Sequence, residues 1–108
     1  LGGHLVQGPV DTTGTVEDIR DNDMGKEITI SYPPSYRKWM IPVGSICVHG
    51  VSLTIAHLRD QEFTVAIIPH TMKATTLGEL RNVDRVNLEF DMLAKYMENF
   101  SGGAVASD

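Results

Sequence analysis

An all-β domain, built as a small sandwich or barrel, is the fold class that the sequence predicts. Apolar and polar residues alternate with period two through most of the chain. The alternating segments are short and are separated by residues suited to turns. The 108 residues suffice for one compact domain and not for two. So many short strands must close on themselves or pack face to face to protect their edges.

The elements follow in order. A first segment runs from His4 to about Asp18. Ile28, Ile30 and Tyr32 alternate with Thr29 and Ser31 in the next. The stretch GSICVHGVSLTIA forms two arms around Gly50, with Val51, Leu53 and Ile55 on one side and Ser52, Thr54 and Ala56 on the other. Phe63, Val65 and Ile67 alternate with Thr64, Ala66 and Ile68, and Val86, Leu88 and Phe90 with Asn87, Glu89 and Asp91. The separators DNDMGK, YPPSYRKWMIPVG, RDQE and RNVD supply Asp, Asn, Gly and Pro for turns. HTMKATTLGEL (70–80) reads as a short helical turn with Gly78 as its breaker. Leu93, Tyr96, Met97 and Phe100 fall at helical spacing and predict an amphipathic C-terminal helix. The domain is expected to span 1–100, followed by a disordered tail, SGGAVASD (101–108), that has nothing to bury. No internal repeat is present.

Charge and composition exclude several classes. Net charge is −5 with no Lys/Arg cluster, so neither nucleic acid nor a membrane surface is an expected partner. No apolar run approaches the roughly 18 residues that a membrane span needs. LGGHLVQG lacks the regions of a signal peptide, and the single Cys excludes an internal disulfide. A cytoplasmic protein is the reading these features favour. The chain does not begin with Met and is expected to be a fragment or a processed product. Asn99-Phe100-Ser101 matches the glycosylation tripeptide, a frequent chance match.

Few motifs carry chemistry by themselves. Gly25-Lys26 resembles the end of a phosphate loop, but Arg20 and Glu27 occupy positions that such a loop reserves for glycine and a hydroxyl. Cys47 and His49 would share a strand face, yet no CxxC or HxxxH pair exists, so no metal is expected. Cys47 reads best as a small core residue, with a nucleophilic Cys–His pair as the alternative. Asp91 ends VNLEFD just before the helix, where it serves either as a cap or as a general acid or base, and Asp11 follows a Gly8-Pro9-Val10 bend. Ser52 and Thr54 place two hydroxyls about 7 Å apart on one strand face. That pair suits a neutral ligand with amide-like edges or hydroxyls, or else is ordinary wet sheet. Ala66, Ile67, Ile68 and Pro69 would add an apolar shelf ending in His70 and Thr71.

LGGHLVQG, GSICVHGVSLTIA, FTVAIIPHT, TTLGEL and DRVNLEFDMLAKYMENF, in that order, resemble the C-terminal half of the riboflavin synthase family, alpha-chain type. The resemblance covers the chain as far as Phe100. It implies a six-stranded antiparallel Greek-key barrel with a short C-terminal helix. It also implies a dismutation in which one 6,7-dimethyl-8-ribityllumazine gives a four-carbon unit to another, yielding riboflavin and 5-amino-6-ribitylaminouracil. No metal or organic cofactor is implied. The implied partners are the lumazine substrate or riboflavin and a second barrel of the same enzyme, with full-length members assembling as trimers.

Position by position, the resemblance makes Ser52, Leu53 and Thr54 the motif that binds the lumazine ring. Ala66, Ile67, Ile68, Pro69, His70 and Thr71 match the strand and bend that cover the ring and meet its ribityl chain. Gly8 and Val10 match the bend after the GGH motif, and His4 and Asp91 match polar residues near the reaction centre. In the implied chemistry the acidic methyl group of lumazine gives up its proton to a base and leaves a carbanion spread over the ring. Catalysis is then largely the holding of two rings face to face, with proton shuttling by His4 and Asp91. The chain departs from the family at Pro9, where histidine is usual, at Val43, where lysine is common, and at His49, where Asp or Asn is usual. The isolated domain is accordingly expected to bind its ligand but to be weak or inactive. A ligand-carrying barrel without chemistry, and a generic interaction barrel, are the competing readings.

Overall fold

The computed structural model describes residues 10–105, with side chains as far as Asn99. Six strands form: β1 (Thr12–Asn22), β2 (Gly25–Ser31), β3 (Ser45–Val48), β4 (Val51–Leu58), β5 (Glu62–Ile67) and β6 (Arg85–Phe90). They close into an antiparallel barrel in the order β1-β2-β5-β4-β3-β6. β3, β4 and β5 follow one another as neighbours while β2 lies against β5, which is a Greek key. Helix α1 (Pro69–Ala74) and a 3-10 turn (Thr76–Glu79) follow β5; helix α2 (Met92–Val105) follows β6. No helix among the described residues is long and apolar enough to cross a membrane.

Alternation decides the faces. Val16, Ile28, Ile30, Ile46, Leu53, Phe63, Val65 and Leu88 point inward and are at most 3% exposed, so the interior is filled by branched and aromatic side chains. At one end the 3-10 segment Pro34–Trp39 folds beneath the barrel. There Tyr36 stacks on Phe90 with ring centroids 5.1 Å apart, and Trp39 packs at 5.7 Å from the same ring. Leu77 closes the other end, where α1 and its following turn lie.

Asp11 ties that aromatic end together. Its carboxylate accepts the Phe90 N–H at 2.8 Å and pairs with Lys95 Nζ of α2 at 2.8 Å, both side chains mostly buried. The Lys95 ammonium also sits 5.2 Å over the Trp39 ring. One acidic side chain thus joins the chain before β1 to the end of β6 and to the helix.

Three features differ from the alternation pattern. β1 begins at Thr12 and continues to Asn22, past the expected end near Asp18. A bulge between Val16 and Asp18 shifts the register. It leaves the inward residues Val16 and Ile19 three positions apart, which hides a strand from period-two reading. The expected start, residues 4–9, lies outside the described residues. The separator 32–44 contains the 3-10 segment where only a turn was expected, Pro34 serving as its first residue. Helix α2 continues to Val105 rather than ending at Phe100, and residues 106–108 of the expected tail lie outside the described residues.

Two glycines set the strand ends nearest the site. Gly50 (φ 80°) completes a two-residue hairpin turn with His49 (φ 51°), both in the left-handed region that such turns require. Gly25 has φ 132°, and a Cβ there would stand 2.0 Å from the Ile67 carbonyl oxygen. Gly25→Ala is expected to lower unfolding stability by at least about 2 kcal/mol, from backbone strain and collision with β5. Urea denaturation followed by circular dichroism measures it, and an unchanged midpoint contradicts the assigned contact.

Candidate ligand site on the outer barrel wall

A barrel of about eight strands is just wide enough for side chains to fill its interior, and this one has six. Any ligand must therefore use the outside or an end. On β4 the inner row is Val51, Leu53 and Ile55; Ser52 is half-buried and Thr54 exposed on the outer face. Pairing of β4 with β5 runs from Leu58↔Phe63 to Ile55↔Val65 and is not continued to Val51–Thr54 among the described residues. Counting on from Ile55↔Val65 brings Thr54 level with Ala66 and Ser52 level with Ile68. The β4–β5 pairing therefore ends before the hydroxyl pair is reached.

The registers of β3 and β6 extend this face. Ser45 pairs with Thr54 and Cys47 with Ser52, while Cys47 pairs with Glu89. Because Ile46 pairs with Phe90, Ser45 is level with Asp91. Two outward rows result: Asp91–Ser45–Thr54–Ala66 and Glu89–Cys47–Ser52–Ile68. A cavity of about 300 Å³ lies over the β6 and β3 ends of these rows and reaches Ser52 of β4, lined by Ser45, Cys47, Ser52, Glu89, Asp91 and Met92, with Ile46 and Phe90 behind. That is at the lower end of the size range of small-ligand pockets.

Polar atoms in the cavity have defined partners. Ser45 Oγ donates to Asp91 Oδ2 at 2.9 Å, and Asp91 Oδ1 accepts the Leu93 N–H at 2.9 Å. Asp91 is thus the cap of α2 and, through its other oxygen, the end of the Ser45 row. Burial pushes the Cys47 thiol above its ordinary range, with the Glu89 carboxylate beside it acting in the same direction. A larger concavity of about 550 Å³ lies over β1, β2, β5 and β4. Its walls are Glu17, Asp18, Arg20, Glu27, Arg59 and Glu62 with His57, around the Thr29–Thr64 hydroxyl contact of 2.9 Å. Such charged walls offer a flat heteroaromatic ring little apolar contact, which favours the smaller cavity.

The structure gathers Ser52, Thr54, Ala66, Ile68 and Asp91 on this outer wall. Leu53 and Ile67 belong to the core at 3% and 1% exposure, so only their backbones are available to a ligand. Pro69 and His70 are exposed at the start of α1, whereas Thr71 is buried, its carbonyl accepting Thr75 Oγ1 at 2.6 Å. Val10 is exposed at 54%, and His4 and Gly8 lie outside the described residues. Cys47 and His49 do not share a strand face. His49 stands in the hairpin turn, where its Nδ1 accepts the Asn87 N–H at 3.2 Å. Among the described residues no group of three His, Cys, Asp or Glu side chains is placed to hold a metal ion. Ser45, Glu89 and Met92 were not singled out from the sequence. Only the cross-strand register brings them to the site; the outward parity shared by Glu89 and Asp91 was the available signal.

A closed barrel with a hydroxyl- and carboxylate-lined wall over an apolar backing is the form of a small-ligand-binding domain. The lumazine binding domain model matches residues 7–91, and the chain belongs to that family. It is similar to riboflavin synthase of Actinobacillus pleuropneumoniae, 40% identical over 100 residues, which cover 93% of this chain and 46% of that protein. It is likewise similar to riboflavin synthase of Mycobacterium tuberculosis (strain ATCC 25618 / H37Rv), 40% identical over 107 residues, 96% of this chain and 53% of the relative. The chain spans about half the length of the curated relatives it matches. Among solved structures, LumP complexed with 6,7-dimethyl-8-(1'-D-ribityl) lumazine shares the fold with a TM-score of 0.72 at 25% identity, over 82% of this chain and 49% of that one.

The raised thiol range sets an expectation for Cys47. At neutral pH it should alkylate several-fold more slowly than a free cysteine, because little thiolate is present. Glu89→Gln, which removes the neighbouring negative charge, should speed it. Iodoacetamide labelling followed by mass spectrometry reads both rates, and a Cys47 as reactive as free cysteine contradicts the burial.

Proposed function

We propose that the domain binds 6,7-dimethyl-8-ribityllumazine on the outer wall where the β4–β5 pairing ends, and that it acts as the C-terminal half of a riboflavin synthase. The observation that bears most on this reading is the outward pair Ser52 and Thr54 at the point where the β4–β5 pairing ends, in a family defined by lumazine binding. Thr54 and Ser52 hydroxyls and the adjoining backbone supply hydrogen bonds to the pyrimidinedione edge. Ile68 and Pro69 cover one ring face, and the ribityl hydroxyls extend along the wall toward Glu89 and Asp91.

The exposed face of such a ring needs a second surface. In the proposed reaction that surface is a lumazine held by a second barrel, stacked against the first. A methyl proton leaves one ring, the carbanion attacks the other, and a four-carbon unit passes across. The atoms of the two substrates reappear in riboflavin and 5-amino-6-ribitylaminouracil, with no oxidant or reductant consumed. Asp91, half-buried and accepting from Ser45, is the proposed proton-exchanging group, with His4 as the second. No cofactor enters. A second barrel, trimeric assembly of the full enzyme and a cytoplasmic site of action belong to the same proposal. A ligand-carrying barrel without chemistry is the second reading, favoured by the likeness to LumP in its lumazine complex.

Trp39 is the sole tryptophan, and its ring lies 5.7 Å from Phe90 behind the cavity. Titration with ribityllumazine should quench its fluorescence saturably. Thr54→Val should weaken the affinity about fivefold, the loss of one hydrogen bond. Riboflavin absorbance should appear only when a companion barrel is added. Binding without riboflavin under either condition selects the carrier reading, and an unquenched Trp39 removes both.

A further inference from the structure

Resting on that reading, we infer that the site selects neutral ribityl ligands and rejects their phosphate esters, with Glu89 as a specificity-determining residue. The charged side chains among the described residues lining the cavity are Glu89 and Asp91, both carboxylates. No lysine or arginine is among them. Glu89 is half-buried and stands level with Cys47, one strand from Ser52, so its charge is only partly screened by water.

The other direction along the wall offers no better reception for an anion. Beyond Thr54 the row continues through Ala66 to its β2 partner Glu27, again a carboxylate. The nearest arginine beyond it, Arg20, is held by Asp18 at 2.9 Å. Lys95 is committed to Asp11 beneath the barrel. Lys26 stands at the start of β2 beside Ile67, and His70 and Lys73 lie on the exposed side of α1; none of the three lines the cavity. A ligand with its ring at the hydroxyl pair therefore meets a carboxylate first, whether its chain runs toward β6 or toward β2.

A phosphate monoester brings a charge of about −1.5 to −2 at pH 7. Held within about 8 Å of one or two partly buried carboxylates, it is repelled strongly enough to weaken binding about tenfold or more at low salt. Uncharged ribityl hydroxyls face no such penalty and gain acceptors in Glu89 and Asp91.

The test compares riboflavin with flavin mononucleotide, its phosphate ester, by flavin fluorescence and calorimetry on the whole chain. The ratio of their dissociation constants should be about ten or more at low ionic strength and should fall toward unity as salt rises to about 0.5 M. In Glu89→Gln the ratio should drop about threefold, whatever happens to the absolute affinity for riboflavin. Equal or tighter binding of the phosphate ester overturns the inference while leaving the lumazine reading intact. So does a ratio that responds neither to salt nor to Glu89→Gln, since the discrimination would then be steric. Failure of riboflavin and ribityllumazine to bind at all removes the lumazine reading and this inference with it.

Discussion

Six strands enclose too little space for anything but their own side chains, and that constraint organises the molecule. Once Val16, Ile30, Leu53, Phe63, Val65 and Leu88 fill the interior, the alternation along β3, β6 and the first half of β4 sends Ser52, Thr54, Cys47, Glu89 and Asp91 outward. The proposed ligand site is consequently a wall and not a hole. A wall holds one face of a flat molecule and leaves the other open, which fits chemistry that requires two rings to meet. The same geometry makes the domain a coherent folding unit: the barrel completes its own core, and in the proposed reaction only the ligand face depends on a neighbour.

The end of the barrel nearest Asp91 is held by a small number of polar contacts set among aromatic rings. Asp11 bonds the Phe90 N–H and Lys95, while Asp91 caps α2 and accepts from Ser45. Two aspartates therefore fix the last residue of β6 from both sides. Phe90 and Ile46 form the apolar back of the cavity, so the position of that backing depends on the Asp11 clamp outside it. The opposite end is organised differently, by Gly25 passing close to Ile67 and by α1 turning away from β5. The end of the β4–β5 pairing beside Ser52 and Thr54 lies between these two anchored ends.

Period-two alternation exposed five of the six strands and both faces of β4, because inward and outward positions differ sharply in polarity there. It missed the true course of β1, where the Val16/Asp18 bulge breaks parity. The hydroxyl pair was legible as a candidate site. Its neighbours were not: Ser45, Cys47 and Glu89 join it only through the registers of β3 with β4 and of β3 with β6, which no single strand specifies. Asp91 was read as either a cap or an acid–base group, and it makes a cap contact with one oxygen while the other faces the Ser45 row. The Asp11–Lys95 pair spans 84 residues of sequence and leaves no local pattern.

Backbone amide chemical shifts, followed while ribityllumazine is added, test most directly whether the outer wall is the binding surface. Perturbations should concentrate at Ser45, Cys47, Ser52, Thr54, Ala66 and Ile68, with the opposite wall of β1 and β2 around Thr15 and Ser31 unmoved. Shifts centred instead on Thr29, Thr64 and His57 would place the ligand in the charged concavity and contradict the account.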